Sequence, residues 1–186
     1  MERLERASVI GALITSLENK GSWCGETHVQ KAGYFLQEMG NVPLEYDYIL
    51  YKHGPFSFEL RDELTEMRAN GLLELKMQPN PYGPSIAVTE TGKLIAELFS
   101  EMAERYKNII DFVASKLAVK GVVDLERLST ALYVTKEMES NTQEERANRI
   151  VELKPHINNE TALESIIQVD RMLHEFGQFN SNALYS

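Results

Sequence analysis

The chain has 186 residues, of which 43% are hydrophobic and 25% charged, with a net charge of −9. That length buries a core without covalent staples, and the single cysteine, Cys24, excludes an intrachain disulfide. No stretch approaches the roughly 18 consecutive apolar residues that would cross a bilayer. The N-terminal segment has no small-residue cleavage site, so a cytoplasmic protein is expected. The acidity is even: residues 1–99 carry 9 bases and 14 acids, and residues 100–186 carry 10 bases and 14 acids. Without a basic arm or tail, nucleic acid is not an expected partner.

In chain order, the first helix is predicted from Leu4 to about Glu18, where Leu4, Ala7, Val9, Ile10, Leu13, Ile14 and Leu17 form an apolar stripe at helical spacing. Gly21 stands where a left-handed cap would close it. A second helix is predicted from about Thr27 to Met39, stopped by Gly40-Asn41. Residues 42–51 are rich in strand formers and predict a short extended segment, with a turn at Gly54-Pro55. Ser57 then caps a third helix, Phe58 to Asn70, with Leu60, Leu64 and Met67 facing inward and Gly71 at its end.

Leu72 to Met77 and Ser85 to Val88 read as two strands around the turn-rich 78–84, and Thr89 opens another helix. Helix, strand, turn cluster, strand and helix in this order is the pattern of a wing. The stripe Ile95, Leu98, Met102, Tyr106, Ile109, Val113 and Leu117 predicts one continuous helix from Glu90 to about Lys120, about 45 Å long at 1.5 Å per residue. Three further helices are expected: Leu125 to about Met138 capped by Asp124, one opened by the capping box at Thr142 and Glu145 and stopped at Pro155, and Glu160 to Phe176 capped by Asn159 and closed by Gly177. The residues from Gln178 onward should fray. The expected fold is therefore mainly α: a winged helix-turn-helix with a small β-hairpin wing over 1–99, followed by a helical extension over 100–186 that packs on it as one unit.

Little in the chain suggests catalysis. His28, His53, His156 and His174 lack metal-ligand spacing and read as scattered surface histidines. Cys24 has no assignable partner, and no phosphate-cradling glycine loop or nucleophile elbow occurs. Neither an enzyme nor a cofactor is expected. The third helix, the recognition helix if the fold reads DNA, holds Arg61 and Arg68 against Glu59, Asp62, Glu63 and Glu66. Asp62, Glu63 and Glu66 read as an outer, solvated face. A net −2 helix and a wing without a base oppose phosphate contact. Tyr46, Tyr48, Tyr51, Phe56 and Phe58 crowd one segment and fit either a core or a partner-binding patch.

Lys31, Tyr34, Phe35 and Gln37 form a K-x-x-Y-F-x-Q pattern, followed by Tyr51-Lys52-His53-Gly54-Pro55-Phe56-Ser57 and Leu60. Over these roughly 50 residues the chain resembles the YwgA-like uncharacterised bacterial proteins. It is similar, more distantly, to the SocA-like or Panacea antitoxin domains. The latter resemblance implies a domain that binds a toxin protein or adapts it for proteolysis, although the C-terminal helices depart from the short antitoxin form. The motif also has structural uses: Gly54 for unusual backbone angles, Pro55 for stiffness, Ser57 as a cap and Gln37 for satisfying buried backbone. The expected function is a non-enzymatic protein-binding module, antitoxin-like or regulatory. Its partner is an unidentified protein, and a homodimer is expected through the Glu90 stripe. The alternative is a DNA-binding winged-helix regulator that uses Arg61 and Arg68.

Overall fold

A computed structural model describes residues 1–79, 83–138 and 141–183, with side chains described as far as Gln178. The fold is mainly helical, with small antiparallel hairpins among the helices. Three helices come first, α1 (Arg3–Asn19), α2 (Glu26–Glu38) and α3 (Phe58–Ala69). A hairpin of β1 (Ile49–Tyr51) and β2 (Gly54–Phe56) is inserted between α2 and α3. The wing position holds β3 (Leu73–Lys76) and β4 (Ser85–Val88), paired from Leu73 with Val88 to Lys76 with Ser85. The expected wing turn falls partly on residues 80–82, outside the described residues.

Local signals set many boundaries. Gly21 and Gly71 adopt the left-handed φ values of +82° and +70° that end α1 and α3. Ser57 accepts from the Leu60 amide at the start of α3. Thr89 accepts from Gly92 at the start of α4 (Glu90–Leu98). Thr142 and Glu145 make the reciprocal bonds of a capping box at α8 (Gln143–Leu153).

The single helix expected from Glu90 to Lys120 is instead three: α4, α5 (Ser100–Arg105) and α6 (Lys107–Leu117). The path bends at Phe99 and Tyr106, whose ψ values of 29° and 9° leave the helical region. The cause is tertiary, because all three segments pack against α1. Ser8 on α1 donates to the carbonyl of Phe99 at the first bend. Of the stripe expected to support a homodimer, Ile109, Val113 and Leu117 are covered by the chain itself, whereas Leu98 is exposed.

Other boundaries also move. The extended segment over 42–51 forms a strand only at 49–51. Gly54-Pro55 is not the turn but the start of β2, and the reversal falls on Lys52-His53. The helix expected from Leu125 begins earlier, as α7 (Val122–Glu137), with Gly121 and not Asp124 at its cap. Asn159 lies inside α9 (Asn159–Ala183), and the Asn158 side chain accepts from the Thr161 amide instead. Gly177 does not close α9, and the segment expected to fray from Gln178 is helical to Ala183, because Phe176 and Met172 still bury against the core.

One hydrophobic cluster runs from Ala7 to Phe176 and draws on both halves of the chain. In the helical extension, Arg146 forks onto Asp170 with two 2.8 Å bonds and reaches Thr135 at 3.0 Å, tying α7, α8 and α9. Burial alone would raise the Asp170 carboxyl, but hydrogen bonds from Arg146 and Gln143 hold it below the usual range. Among the described residues no helix is long and apolar enough to cross a membrane.

Two glycines test this packing in opposite directions. A Cβ at Gly92 would lie 2.2 Å from the Leu72 carbonyl oxygen, whereas one at Gly177 meets nothing within 4 Å. In urea unfolding, Gly177→Ala is expected to raise stability by about 0.5–1 kcal/mol through helix propensity, and Gly92→Ala to lower it.

Candidate partner-binding face and groove

The motif begins on α2. Residues 39–57 run from the end of this helix to α3, mostly without regular structure, so their peptide groups need side-chain partners. Two glutamines on one face of α2, seven residues apart, supply them. Gln37 donates to the Tyr46 carbonyl at 3.0 Å and accepts from the Tyr46 amide at 2.9 Å. Gln30 does the same for Ser57, at 2.9 and 3.0 Å. The carboxamide matches a peptide group donor for acceptor, so each glutamine acts as one rung of a strand ladder. Gln30 is fully buried, and the sequence reading missed it. Its position one heptad before Gln37 was the available signal.

Lys31, only 2% exposed, donates to the Pro55 carbonyl at 2.7 Å. On the other side of the hairpin, Lys154 donates to the carbonyls of Tyr51 at 2.6 Å and Lys52 at 2.7 Å. Between the two lysines lies Glu126 of α7, also buried. Its Oε1 is 3.4 Å from Lys154 Nζ and 3.3 Å from His156 Nε2, and its Oε2 is 3.5 Å from His53 Nδ1. Oε1 makes no formed hydrogen bond among the described residues, so the attraction there is ionic. Gly54 has φ +84°, and a Cβ on it would stand 2.7 Å from Ser129 Oγ of α7. Glycine is required twice, by conformation and by contact.

The histidines are therefore not simply scattered over the surface. His53 and His156 converge on Glu126, and His28 is buried with Nε2 3.3 Å from the Leu117 carbonyl. Burial holds the His28 pKa below its ordinary value. Cys24 is fully buried, and burial, followed by the charge of Glu18, pushes its thiol up to about 12. A nucleophilic thiolate is disfavoured there.

The aromatic segment divides. Tyr46 is buried, with its hydroxyl donating to Glu63 at 2.9 Å. Tyr48 packs edge-on against Tyr34 with centroids 5.0 Å apart, and Phe35 is fully buried. Tyr51 and Phe58, by contrast, are 54% and 42% exposed, and Phe56 is half-buried. These three rings pack on one another with centroids 5.2 to 6.0 Å apart. The Arg61 guanidinium lies over the Phe58 ring, 5.0 Å from its centroid.

Arg61 is also the first residue of a second feature. Arg61, Leu64, Thr65 and Arg68 form one face of α3, and this face lines a groove of about 550 Å³. Leu75, Pro84 and Ile86 of the wing region form another wall. Trp23 with the start of α2, and Lys120-Gly121-Val122 before and at the start of α7, complete it. The four acids of α3 occupy the opposite face, since Glu59, Asp62, Glu63 and Glu66 repeat the same spacing two residues, or about 200°, away. That face is not simply solvated. Glu63 is buried, with Arg6 at 2.7 Å, while Glu66 pairs with Arg3 and Glu59 accepts from the Asp47 amide. The net charge of α3 thus averages two unlike faces.

The buried lysine gives a pH test. Burial lowers the Lys31 pKa to about 8, with Glu126 partly opposing the shift and Lys154 adding to it. Above pH 8 the folded state has released this proton while the unfolded chain still holds it, so stability rises with pH until the unfolded lysine titrates. Between pH 8 and 10 the wild type should gain stability over Lys31→Met by up to about 1.4 kcal/mol per pH unit. Parallel urea-unfolding curves across that range would show that Lys31 keeps an ordinary pKa.

Comparison with protein-family models finds no match for this chain, and comparison with curated proteins finds none at significant similarity.

Proposed function

We propose that this protein is a non-enzymatic binding module, antitoxin-like or regulatory, that acts by gripping another protein. The observation that carries this reading is the exposed cluster of Tyr51, Phe56 and Phe58 with Arg61 stacked on its edge. Aromatic rings and arginine dominate the energetic centres of protein interfaces, because they bury much area with few rotatable bonds. Here the backbone beneath them is held by Gln30, Lys31 and Lys154, so the rings lose little further freedom on binding. Lys31 and Glu126, beneath the hairpin, and Cys24, beside α1 and β4, are buried.

The second reading is a DNA-binding winged-helix regulator. It is favoured by one observation: Arg61 and Arg68 share a face of α3 and open into the groove beside the wing. Against it, Arg61 is already engaged with Asp62 at 2.8 Å, and the wing turn has no base.

A photoreactive amino acid at position 51, crosslinked in native cells, identifies the partner by mass spectrometry. In calorimetry with that purified partner, the Tyr51→Ala, Phe58→Ala double variant should bind at least tenfold more weakly, with melting lowered only modestly because both residues are about half exposed. Equal binding would sink the protein-binding reading of this face. At about 150 mM salt no binding to random duplex DNA is expected. Micromolar binding that weakens steeply with salt would install the DNA reading in its place.

A further inference from the structure

We infer that the groove between α3, the wing and the start of α7 binds an acidic segment of a partner protein, one in which carboxylates alternate with apolar side chains. This inference rests on the protein-binding reading and names the chemistry of what is bound.

Three features of the groove support it. The first is charge. The chain is net −9, yet Arg61, Arg68 and Lys120 line this one cavity and Glu26 is the one acid among its described lining residues. Arg61 is shared with Asp62, but Arg68 and Lys120 have no carboxylate at ion-pair distance among the described residues. These two cations are available to a ligand at no cost in broken pairs. The second is the backbone. Both α2 and α7 begin at the groove with glycine caps, Gly25 and Gly121. Their first amides and the positive ends of their dipoles add to the field that the side chains set up.

The third is the apolar walls, which separate a peptide from a nucleic acid. Leu64 and Ile86 form a buried floor, and Leu75 and Val122, 38% and 49% exposed, stand at its sides. Exposed Val119 and Val123 flank Lys120–Val122 in the chain. A phosphate backbone offers such walls only its sugar carbons, whereas leucine or phenylalanine side chains fill them. Tight duplex binding typically uses about 6–10 phosphate contacts, more than three cations provide. A short segment needs only two or three carboxylates. The exposed Phe58 ring, joined to the groove through Arg61, extends the apolar surface and makes the groove continuous with the aromatic face.

The test uses the full chain, labelled with nitrogen-15, and three probes at about 150 mM salt. These are a fluorescein-labelled 12-residue peptide of shuffled Leu, Phe, Glu and Asp, the same peptide with Lys in place of each acid, and a random 20-base-pair duplex. The acidic peptide should bind saturably and shift the amides of residues 61–68 and 120–122. The lysine peptide should not bind. The Arg68→Glu, Lys120→Glu double variant should lose at least tenfold in affinity while melting like the wild type, since neither side chain holds a structural pair. Binding of the lysine peptide, shifts confined to other surfaces, undiminished binding by the variant, or no saturable binding up to millimolar peptide would each overturn the inference. So would tighter binding by the duplex, which points to nucleic acid. A partner crosslinked through position 51 that binds the Arg68→Glu, Lys120→Glu variant as tightly as the wild type overturns this inference alone and leaves the protein-binding reading standing.

Discussion

The arrangement depends on one requirement, that the inward-facing peptide groups of a partly buried, irregular segment find partners. Residues 39–57 run from α2 to α3 with only three-residue strands, alternating exposed and buried positions. An unsatisfied buried peptide group costs about 1–3 kcal/mol, so this path is stable only because side chains from elsewhere complete it. Gln30 and Gln37 pair with the peptide groups at Ser57 and Tyr46, Lys31 holds the Pro55 carbonyl, and Lys154 holds two more. Lys154 comes from the helical extension, and Gly54 sits against Ser129 of α7. The hairpin is therefore completed by the C-terminal half of the chain, which explains why a single core spans both halves.

Placing Lys31, Lys154 and Glu126 in one buried region, with Lys154 and Glu126 paired at 3.4 Å, is an expensive arrangement, since each charge loses hydration. Its compensation lies in the carbonyls that the lysines serve and in Glu126 between them. His53 and His156 stand at the outer edge of this centre, 55% and 61% exposed, each near one oxygen of Glu126. The charged centre fixes the hairpin on α7 and leaves the rings of Tyr51 and Phe58 pointing away from the core. The support below comes from α2, α7 and Lys154, and the exposed aromatic area above from Tyr51 and Phe58.

The third helix shows how charge is redistributed by folding. Glu59, Glu63 and Glu66 face α1 and the loop before the hairpin, where the Asp47 amide, Arg6 and Arg3 take them up. Its bases face the groove, where the apolar walls lie. An acidic protein therefore presents a locally cationic cleft, with most of the acids of α3 paired on the opposite face.

What the sequence by itself determined are features with a local cause. Left-handed glycines at 21 and 71, caps at Ser57, Thr89 and Thr142, the apolar stripes of α1 and α2 and the pairing of β3 with β4 follow from neighbouring residues. Gln37 as a support for buried backbone was legible for the same reason, because an amide within a helical motif has few other uses. Only the tertiary structure decided the rest. Periodicity alone continued the helix from Glu90, and packing around α1 bent it at Phe99 and Tyr106. Whether Glu63 is solvated or buried, and whether Tyr51 fills the core or leaves it, cannot be read from residue type, since tyrosine and a paired carboxylate serve both situations. The bonds from Lys154 to the Tyr51 and Lys52 carbonyls span more than 100 residues, and Arg68 and Lys120, which line one groove, are more than 50 apart. Such separations carry no spacing signal, because the contacts exist only once α7 has docked against α2 and the hairpin.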